Sequence, residues 1–139
     1  MLIQSINRDD ADKVFVSVKN AEGSALPVDS MVQLDLTTDI DGNRVVQPNS
    51  AETNAVVGML DEALAIGAYG IAQSYGYRAS SVVFQTNTSI AKGVKLVPVA
   101  GQNYVASSAS GDLLVVLCES IASSTASATI SAKVHLRMM

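Results

Sequence analysis

The segment GMLDEALAIGAYGIAQSYGYR, residues 58–78, decides which kind of fold this chain adopts. Its first apolar residues, from Met59 to Leu64, are spaced as in a helix, but glycines and tyrosines then interrupt that pattern. The segment is therefore either a glycine-rich ligand loop joined to a helix or a corner between two strands. The preceding Val56 and Val57 are stiff, β-branched residues that suit a strand better than a helix.

A helix through this region would also hold Gly58 in its interior, at a cost of about 1 kcal/mol relative to alanine. We therefore predict a strand over residues 55–60 and one helical turn from Asp61 to Leu64. Gly67 then closes that turn, and a new strand runs from Tyr69 to Tyr75. On this interpretation the glycines are backbone corners that allow close packing.

Three other segments alternate apolar and polar side chains, a pattern typical of half-buried and usually antiparallel strands. In residues 13–19, the valines 14, 16 and 18 share one face. In residues 32–37, the expected buried set is Val32, Leu34 and Leu36, and the expected outward set is Gln33, Asp35 and Thr37. In residues 129–138, the apolar face consists of Ile130, Ala132, Val134, Leu136 and Met138.

Turn residues punctuate these strands at spacings typical of an all-β domain. Asp41-Gly42 predicts a hairpin within residues 34–48. Three segments, 25–34, 63–73 and 89–97, each place small or apolar residues before a Gly or Asp and then resume as a strand. We interpret these as repeated corners that precede strands, and not as a solenoid, because no fixed period links them.

The predicted fold is mainly β, a compact antiparallel β-barrel or β-sandwich with at most one or two short helical turns. One β-domain spans residues 13–139, and residues 1–12 form an N-terminal arm. We expect this arm to become ordered only on contact with a neighbouring protein.

The composition favours a chain whose surface is partly covered by a partner or by copies of itself. Charged residues make up 16% of its 139 residues, against roughly 25% in an average globular domain. Residues 1–62 hold eleven acidic and four basic residues, a net charge of −7, whereas residues 63–139 hold two and five, a net charge of +3. This asymmetry could orient neighbouring subunits, or it could disappear if both halves mix within one compact domain.

The remaining composition points to a protein made in a reducing cytoplasm. The single cysteine, Cys118, lies in an apolar run and is expected to be a buried, unreactive thiol. The sequence shows no signal-peptide pattern and no apolar stretch of about 20 residues. The overall charge of −4 does not favour nucleic acid as a partner.

Two glycine motifs fall short of ligand loops. The glycines at 58, 67, 70 and 76 lack the spacing and the following helix of a dinucleotide-binding fingerprint. Thr37, Asp39 and Asp41 resemble the first ligands of a calcium loop that has Gly42 at its sixth position. Position twelve is then Pro48, where a bidentate carboxylate is required. The hairpin turn explains these residues more simply.

Other candidate groups are isolated. His135, the only histidine, is expected on the polar face of a strand, and one His with one Cys cannot form a usual zinc site. Asp61 and Glu62 are adjacent, so we expect both to face solvent in the turn and not to converge as paired acids. The four tyrosines could form a stacking platform for sugars or bases, or the rim of a core. We predict no catalytic, cofactor-binding or metal-binding residues and no enzymatic activity.

Part of the chain resembles small virion proteins of tailed bacteriophages. The first matching stretch comprises Gly58, Leu60, Ala65, Gly67, Tyr69, Gly70 and Gln73. The second comprises Ile90, Ala91, Gly93, Leu96, Val97 and Pro98. The resemblance covers roughly residues 55–120 and is moderately specific, because small residues dominate it.

This resemblance implies a capsid decoration, or cement, protein with a small β-barrel or β-sandwich fold and no catalytic residues. Its expected partners are the major capsid protein and copies of itself, and its expected location is the capsid surface of the virion. The alternative is a carbohydrate-binding β-sandwich module of the adhesin or tail-fibre type, which would use the tyrosines.

Overall fold

The computed structural model describes residues 12–37, 43–49, 55–85, 90–107, 116–118 and 128–137. Within these ranges the chain is nearly all β, which confirms the predicted fold class. Eleven strands occur in the described part of the chain. They are β1 (Val14–Asn20), β2 (Met31–Leu34), β3 (Arg44–Val46), β4 (Val56–Leu60), β5 (Tyr69–Arg78), β6 (Val82–Gln85), β7 (Lys95–Pro98), β8 (Val105–Ser107), β9 (Val116–Cys118), β10 (Ala128–Ser131) and β11 (Val134–Arg137).

The first five strands form a closed barrel in the order β1-β3-β2-β4-β5, because β5 also pairs with β1. The predicted valine face of β1 is confirmed: Val18 is buried, Val16 packs against the barrel core and Ser17 is exposed. The core of this first barrel consists of Val18, Leu26, Val32, Val45, Leu60, Leu64 and Ala72. Small aliphatic side chains of this kind suit the narrow interior of a five-stranded barrel.

A second sheet continues from β5 in the order β11-β9-β7-β8-β6-β10. Its core includes Val83, Leu96, Val134 and Leu136. Met31 and Met59 belong to this second core although they lie on β2 and β4. Their neighbours Val32 and Leu60 point into the barrel, so β2 and β4 contribute alternate side chains to both cores. The barrel and the second sheet are therefore packed directly against one another.

The second sheet repeats the strand pairings of the first barrel. β1 pairs in parallel with β3, and β6 pairs in parallel with β8. Four antiparallel pairs also correspond: β2–β3 to β7–β8, β2–β4 to β7–β9, β4–β5 to β9–β11, and β1–β5 to β6–β10. The two parallel pairs differ from the purely antiparallel arrangement that side-chain alternation suggests, since alternation carries no information about strand direction.

The three repeated corners predicted from the sequence are confirmed. Each begins at a buried aliphatic residue, at Leu26, Leu64 or Ile90, and turns before the next strand. The third residue after each has a positive φ: 62° at Asp29, 72° at Gly67 and 80° at Gly93. A positive φ at this position is the signature of a type II turn. The corners before β2 and β7 occupy equivalent places in the two sets of pairings.

Within residues 58–78, the strand, corner and strand are confirmed, but the helical turn from Asp61 to Leu64 is wrong. Leu64 instead forms an antiparallel bridge with Leu26, with both N–H···O distances at 2.9 Å. The two corners of the first barrel thus satisfy each other's backbone groups, and no local helical hydrogen bond is needed. β5 also extends to Arg78, three residues beyond the predicted end.

The alternation predicted for residues 32–37 is also wrong. Gln33 and Asp35 are buried, whereas Leu36 is exposed. The register of β2 against β4 shifts between Val32 and Gln33, which is the mark of a bulge. Both side chains form hydrogen bonds: the Gln33 amide donates to Asn49 Oδ1 at 2.7 Å, and Asp35 Oδ1 accepts from the backbone N–H and hydroxyl of Thr37.

At the C-terminal end of the described chain, the predicted alternation is confirmed but the strand is divided. Ala132, Val134 and Leu136 are buried, and Ile130 packs against the same core. β10 pairs with β6, whereas β11 pairs with β5 and β9. Ser81 holds the break between them: its carbonyl accepts from Ala132 N–H and its hydroxyl donates to Ala132 O.

Several sequence predictions lie outside the described residues. They are the arm over residues 1–11, the turn at Asp41-Gly42, and Met138. The strands on either side of that turn do pair: Gln33 is opposite Val46 and Leu34 is opposite Val45. The predicted hairpin pairing is thus confirmed.

Three glycines differ in why a larger residue would be unfavourable: because of a positive φ, because of a close neighbour, or because of both. Gly76 has a φ of 97°, and a Cβ there would overlap the backbone of Asp12. A Cβ at Gly58 would lie 2.5 Å from the carbonyl oxygen of Gln73, without a positive φ. At Gly93 the φ is positive, but a Cβ would meet nothing within 4 Å.

We expect Gly76→Ala to lower the free energy of unfolding most, by roughly 3 kcal/mol, because a left-handed φ costs about 1–2 kcal/mol and overpacking about 1–3 kcal/mol. Gly58→Ala and Gly93→Ala each test one of these effects alone. Urea denaturation of the three variants measures the difference. A loss for Gly76→Ala no greater than that for Gly93→Ala would contradict the close approach of Asp12 to β5.

Candidate binding surfaces

A buried arginine, Arg78, ends β5 and lies at the centre of a polar cluster. Its Nη2 donates to Asp29 Oδ1 and, at 2.6 Å, to the carbonyl oxygen of Leu60. Its Nη1 donates to Asp61 Oδ1 at 3.1 Å and to Gln73 Oε1 at 3.3 Å. One guanidinium therefore connects the corner before β2, the end of β4 and the middle of β5.

Asp29 occupies a backbone position that the other two corners give to glycine. It is the one non-glycine residue with a positive φ in the part of the chain that the structure describes. Both carboxylate oxygens are used, since Oδ1 accepts from Arg78 and Oδ2 accepts from the Ser80 hydroxyl at 2.9 Å. The ion pair explains why an aspartate is found where glycine would be less strained.

These groups line a polar cleft of about 260 Å³, formed by Lys13, Asp29, Asp61, Gln73, Arg78, Ala79 and Ser80. Its two basic and two acidic side chains compensate one another, so the cleft has no net charge to attract an ion. Of the Arg78 nitrogens, Nε has no hydrogen-bond partner in the described chain, whereas both Nη atoms are engaged. The cleft is explained as a structural connection between corner and strand.

An exposed apolar surface lies on the outer side of the barrel, where β1 pairs with β5. Ser17 lies opposite Ile71 and Lys19 opposite Tyr69, so these side chains share one face. We call this surface the outer strip; it consists of Phe15, Ser17, Lys19, Tyr69 and Ile71. Phe15 and Ile71 are each 42% exposed and Tyr69 is 64% exposed. The Lys19 ammonium lies 5.3 Å from the centre of the Tyr69 ring, within cation–π range.

A second surface covers the outer side of the second sheet. Tyr77, His135 and Lys95 occupy one row across the sheet, in which the backbone of β9 at residue 117 pairs with both His135 and Lys95, and Tyr75 lies opposite Arg137 in the next row. Their sequence neighbours Leu96, Val134 and Leu136 face the core, which places the row outside. We call this surface the basic face and define it by Tyr75, Tyr77, Lys95, His135 and Arg137.

The structure separates the four tyrosines that could have formed one stacking platform. Tyr69 belongs to the outer strip, and Tyr104 stacks on Phe84 with ring centres 5.0 Å apart. Tyr75 and Tyr77 do share a face, as their spacing predicts, and both are half-buried there. The rings of Tyr75 and His135 meet edge to face, with their centres 5.6 Å apart. At most two tyrosines are therefore available to one ligand.

The other candidate residues lie apart from one another. Asp61 and Glu62 are both exposed, as predicted, and Asp61 also pairs with Arg78. His135 is half-buried and not fully exposed. Thr37 bonds to Asp35, while Asp39 and Asp41 lie outside the described residues. The backbone of Cys118 pairs with β11; its side chain is not among those described.

The described residues offer neither a metal-binding cluster nor a membrane-spanning helix. No group of three or more His, Cys, Asp and Glu side chains in these ranges could hold a metal ion. Of the helical segments that the structure describes, none has the length and apolar character needed to cross a membrane.

Comparison with known proteins does not assign a family. No protein-family model matches this chain. A search of curated proteins also finds no match.

Sequence patterns did not reveal the two residues that organise the corners, Arg78 and Asn20. Asn20 ends β1 and is 1% exposed. Its amide donates to the carbonyl oxygens of Ser24, Leu64 and Ala65 at 3.0–3.2 Å. A polar side chain at the end of a strand is normally expected to face solvent, so the sequence offers no reason to place Asn20 in the interior. The one usable signal was Asp29, because it replaces glycine in a repeated corner.

The Arg78 cluster predicts unequal effects for its two carboxylates. Arg78→Met should lower the free energy of unfolding by about 3–5 kcal/mol, because it leaves the mostly buried Asp29 carboxylate without its cation. Asp29→Asn keeps a residue type that tolerates a positive φ, but it removes the negative charge that pairs with Arg78. Asp61→Asn should cost at most about 1 kcal/mol, because the Asp61 side chain is 47% exposed. Chemical denaturation provides the measurement, and equal losses for the two aspartate variants would refute the assignment.

Proposed function

We propose that this protein is a non-enzymatic structural protein of a tailed-bacteriophage virion, of the capsid decoration type. It is made in the host cytoplasm, binds the outside of the head and stabilises it. Its partners are the major capsid protein and copies of itself. The proposal applies to the whole domain and assigns no catalytic residue.

The observation that carries this proposal is the outer strip. Phe15, Tyr69 and Ile71 expose apolar side chains on one outer wall of a closed barrel. Contiguous exposed apolar surface of this kind is typical of protein-binding sites. Because β1 and β5 pair with each other along the whole strip, its backbone is already ordered and loses little conformational entropy on binding. We assign the strip to contact with the capsid shell.

The residues that carry the resemblance to virion proteins support the same proposal, because several of them have a role in packing. A Cβ at Gly70 would overlap the side chain of Leu64, and a Cβ at Gly58 would approach the backbone of Gln73. Leu96 and Pro98 are buried in β7. Gly58 and Gly70 therefore allow close packing, and Leu96 and Pro98 contribute to the buried interior, which are structural roles. This is what a structural protein without catalytic groups requires.

A cement protein must add contact area to a shell without deforming. A closed barrel joined to a second sheet by strands that contribute to both cores meets this requirement, since closure leaves the barrel strands without an open edge in the described chain. The low content of charged residues also lowers the cost of removing this surface from water.

The proposal predicts that heads of the encoding phage, prepared without this protein, rebind it when it is supplied in purified form. Ile71→Glu should weaken rebinding at least tenfold, because it places a charge in the apolar contact. Leu36→Glu is the matched control, since Leu36 is 58% exposed and lies outside the outer strip. Co-sedimentation with heads measures binding, and DNA release on heating measures stabilisation.

No rebinding of the folded wild-type protein would refute the decoration role. Equal effects of the two glutamate variants would refute the assignment of the strip while leaving the role intact.

The carbohydrate-binding alternative has one supporting observation, the common face of Tyr75 and Tyr77 beside His135. A glycan array separates the two functions. Binding of a defined glycan that is lost in Tyr77→Ala, together with no binding to heads, would favour the adhesin or tail-fibre type.

A further inference from the structure

The charge asymmetry of the sequence persists in space, because it follows the division between barrel and second sheet. In the described part of residues 79–137 there is no acidic residue, and the four basic residues Lys92, Lys95, Lys133 and Arg137 are all exposed. The described part of residues 12–78 holds six acidic and four basic residues. In the full sequence, residues 1–78 hold eleven acidic and five basic residues, a net charge of −6, and residues 79–139 hold two and four, a net charge of +2. The two halves therefore carry opposite net charges.

The two corners of the first barrel lie in segments that carry acidic but no basic residues. Residues 20–37 and 55–68, which contain both corners, include no Lys or Arg. Asp61 and Glu62 are exposed there, and the corner residues Val28 and Ile66 are 44% and 66% exposed. We call this surface the corner end and define it by Val28, Asp61, Glu62 and Ile66. It combines carboxylates with exposed aliphatic side chains.

The basic face has the complementary chemistry. Lys95 and Arg137 are exposed and take part in no ion pair in the described chain, and the same is true of Glu62. Tyr75 and Tyr77 lie on β5 beside Arg137 and His135 of β11, and they offer half-buried aromatic surface. Lys95 lies two strands beyond β11, on β7. Aliphatic groups with carboxylates on one surface thus match aromatic groups with ammonium and guanidinium groups on the other.

We propose that the corner end of one copy binds the basic face of the next copy. Lys95 and Arg137 approach Asp61 and Glu62 of the neighbour, while Val28 and Ile66 cover the tyrosines. Because two different surfaces meet, the contact is heterologous and joins copies head to tail, as in rings. This inference rests on the self-association part of the proposed function and is independent of shell binding, which uses the outer strip.

The first test is the salt dependence of self-association in the full-length protein, measured by sedimentation velocity and native mass spectrometry. Oligomers should form at about 0.01 M salt and dissociate towards about 1 M, where the screening length falls from roughly 30 Å to 3 Å. A monomer at every salt concentration would overturn the inference without affecting the rebinding of protein to heads. Oligomers that strengthen with salt would also overturn it.

The second test is a charge swap. Lys95→Glu and Glu62→Lys should each weaken self-association roughly tenfold or more, since each places like charges opposite one another. The two changes combined in one chain should restore it to within a few-fold of wild type, because residues 95 and 62 again carry opposite charges. Lys92→Glu is the matched control, with the same charge change at a corner outside the basic face.

The swap discriminates between arrangements. If copies met through identical basic faces, Glu62→Lys would have no effect and the double variant would not recover. If only net charge mattered, Lys92→Glu would act like Lys95→Glu. Either result would refute head-to-tail pairing, as would wild-type affinity in both single variants. Circular dichroism and thermal unfolding confirm that each variant is folded before it is compared.

Discussion

The pairing of β5 with three other strands is the constraint on which the rest of the structure depends. This strand closes the first barrel against β1, continues it through β4 and begins the second sheet through β11. Gly76 makes this possible, because only a residue without a Cβ lets the chain at Asp12 pass so close. With β5 fixed, neither sheet can move independently of the other.

The repetition of one set of pairings explains how a chain with so few large side chains forms a stable core. Each half contributes a small set of Val, Leu and Ile residues, and Met31 and Met59 join the first half to the second. Long, flexible methionines suit the irregular space between a barrel wall and a sheet. The same division leaves the described part of the second half without acidic residues, whereas every described acidic residue belongs to the first half.

The strands and their corners were predictable because they depend on local chemistry. Period-two alternation located β1 and β11, and the positive φ that glycine tolerates located two of the corners. The candidate surfaces were less predictable. Phe15 and Ile71 look like core residues in the sequence, since apolar side chains are normally buried. They form a surface only because β1 and β5 bury their other faces in the barrel. For Arg78, no local pattern indicates that its partners come from residues 17 and 49 positions away.

The sequence by itself determined that this protein is a charge-poor β-domain, since alternation and turn residues act over a few positions. It also determined the charge imbalance between its halves. The tertiary structure alone decided that Gln33 is buried, because a bulge in β2 turns it towards a partner that Asn49 supplies. It likewise decided that residues 128–137 serve two separate pairings, because Ser81 holds the chain at Ala132. Contacts between distant segments set these outcomes, and a linear pattern contains no record of which segments meet.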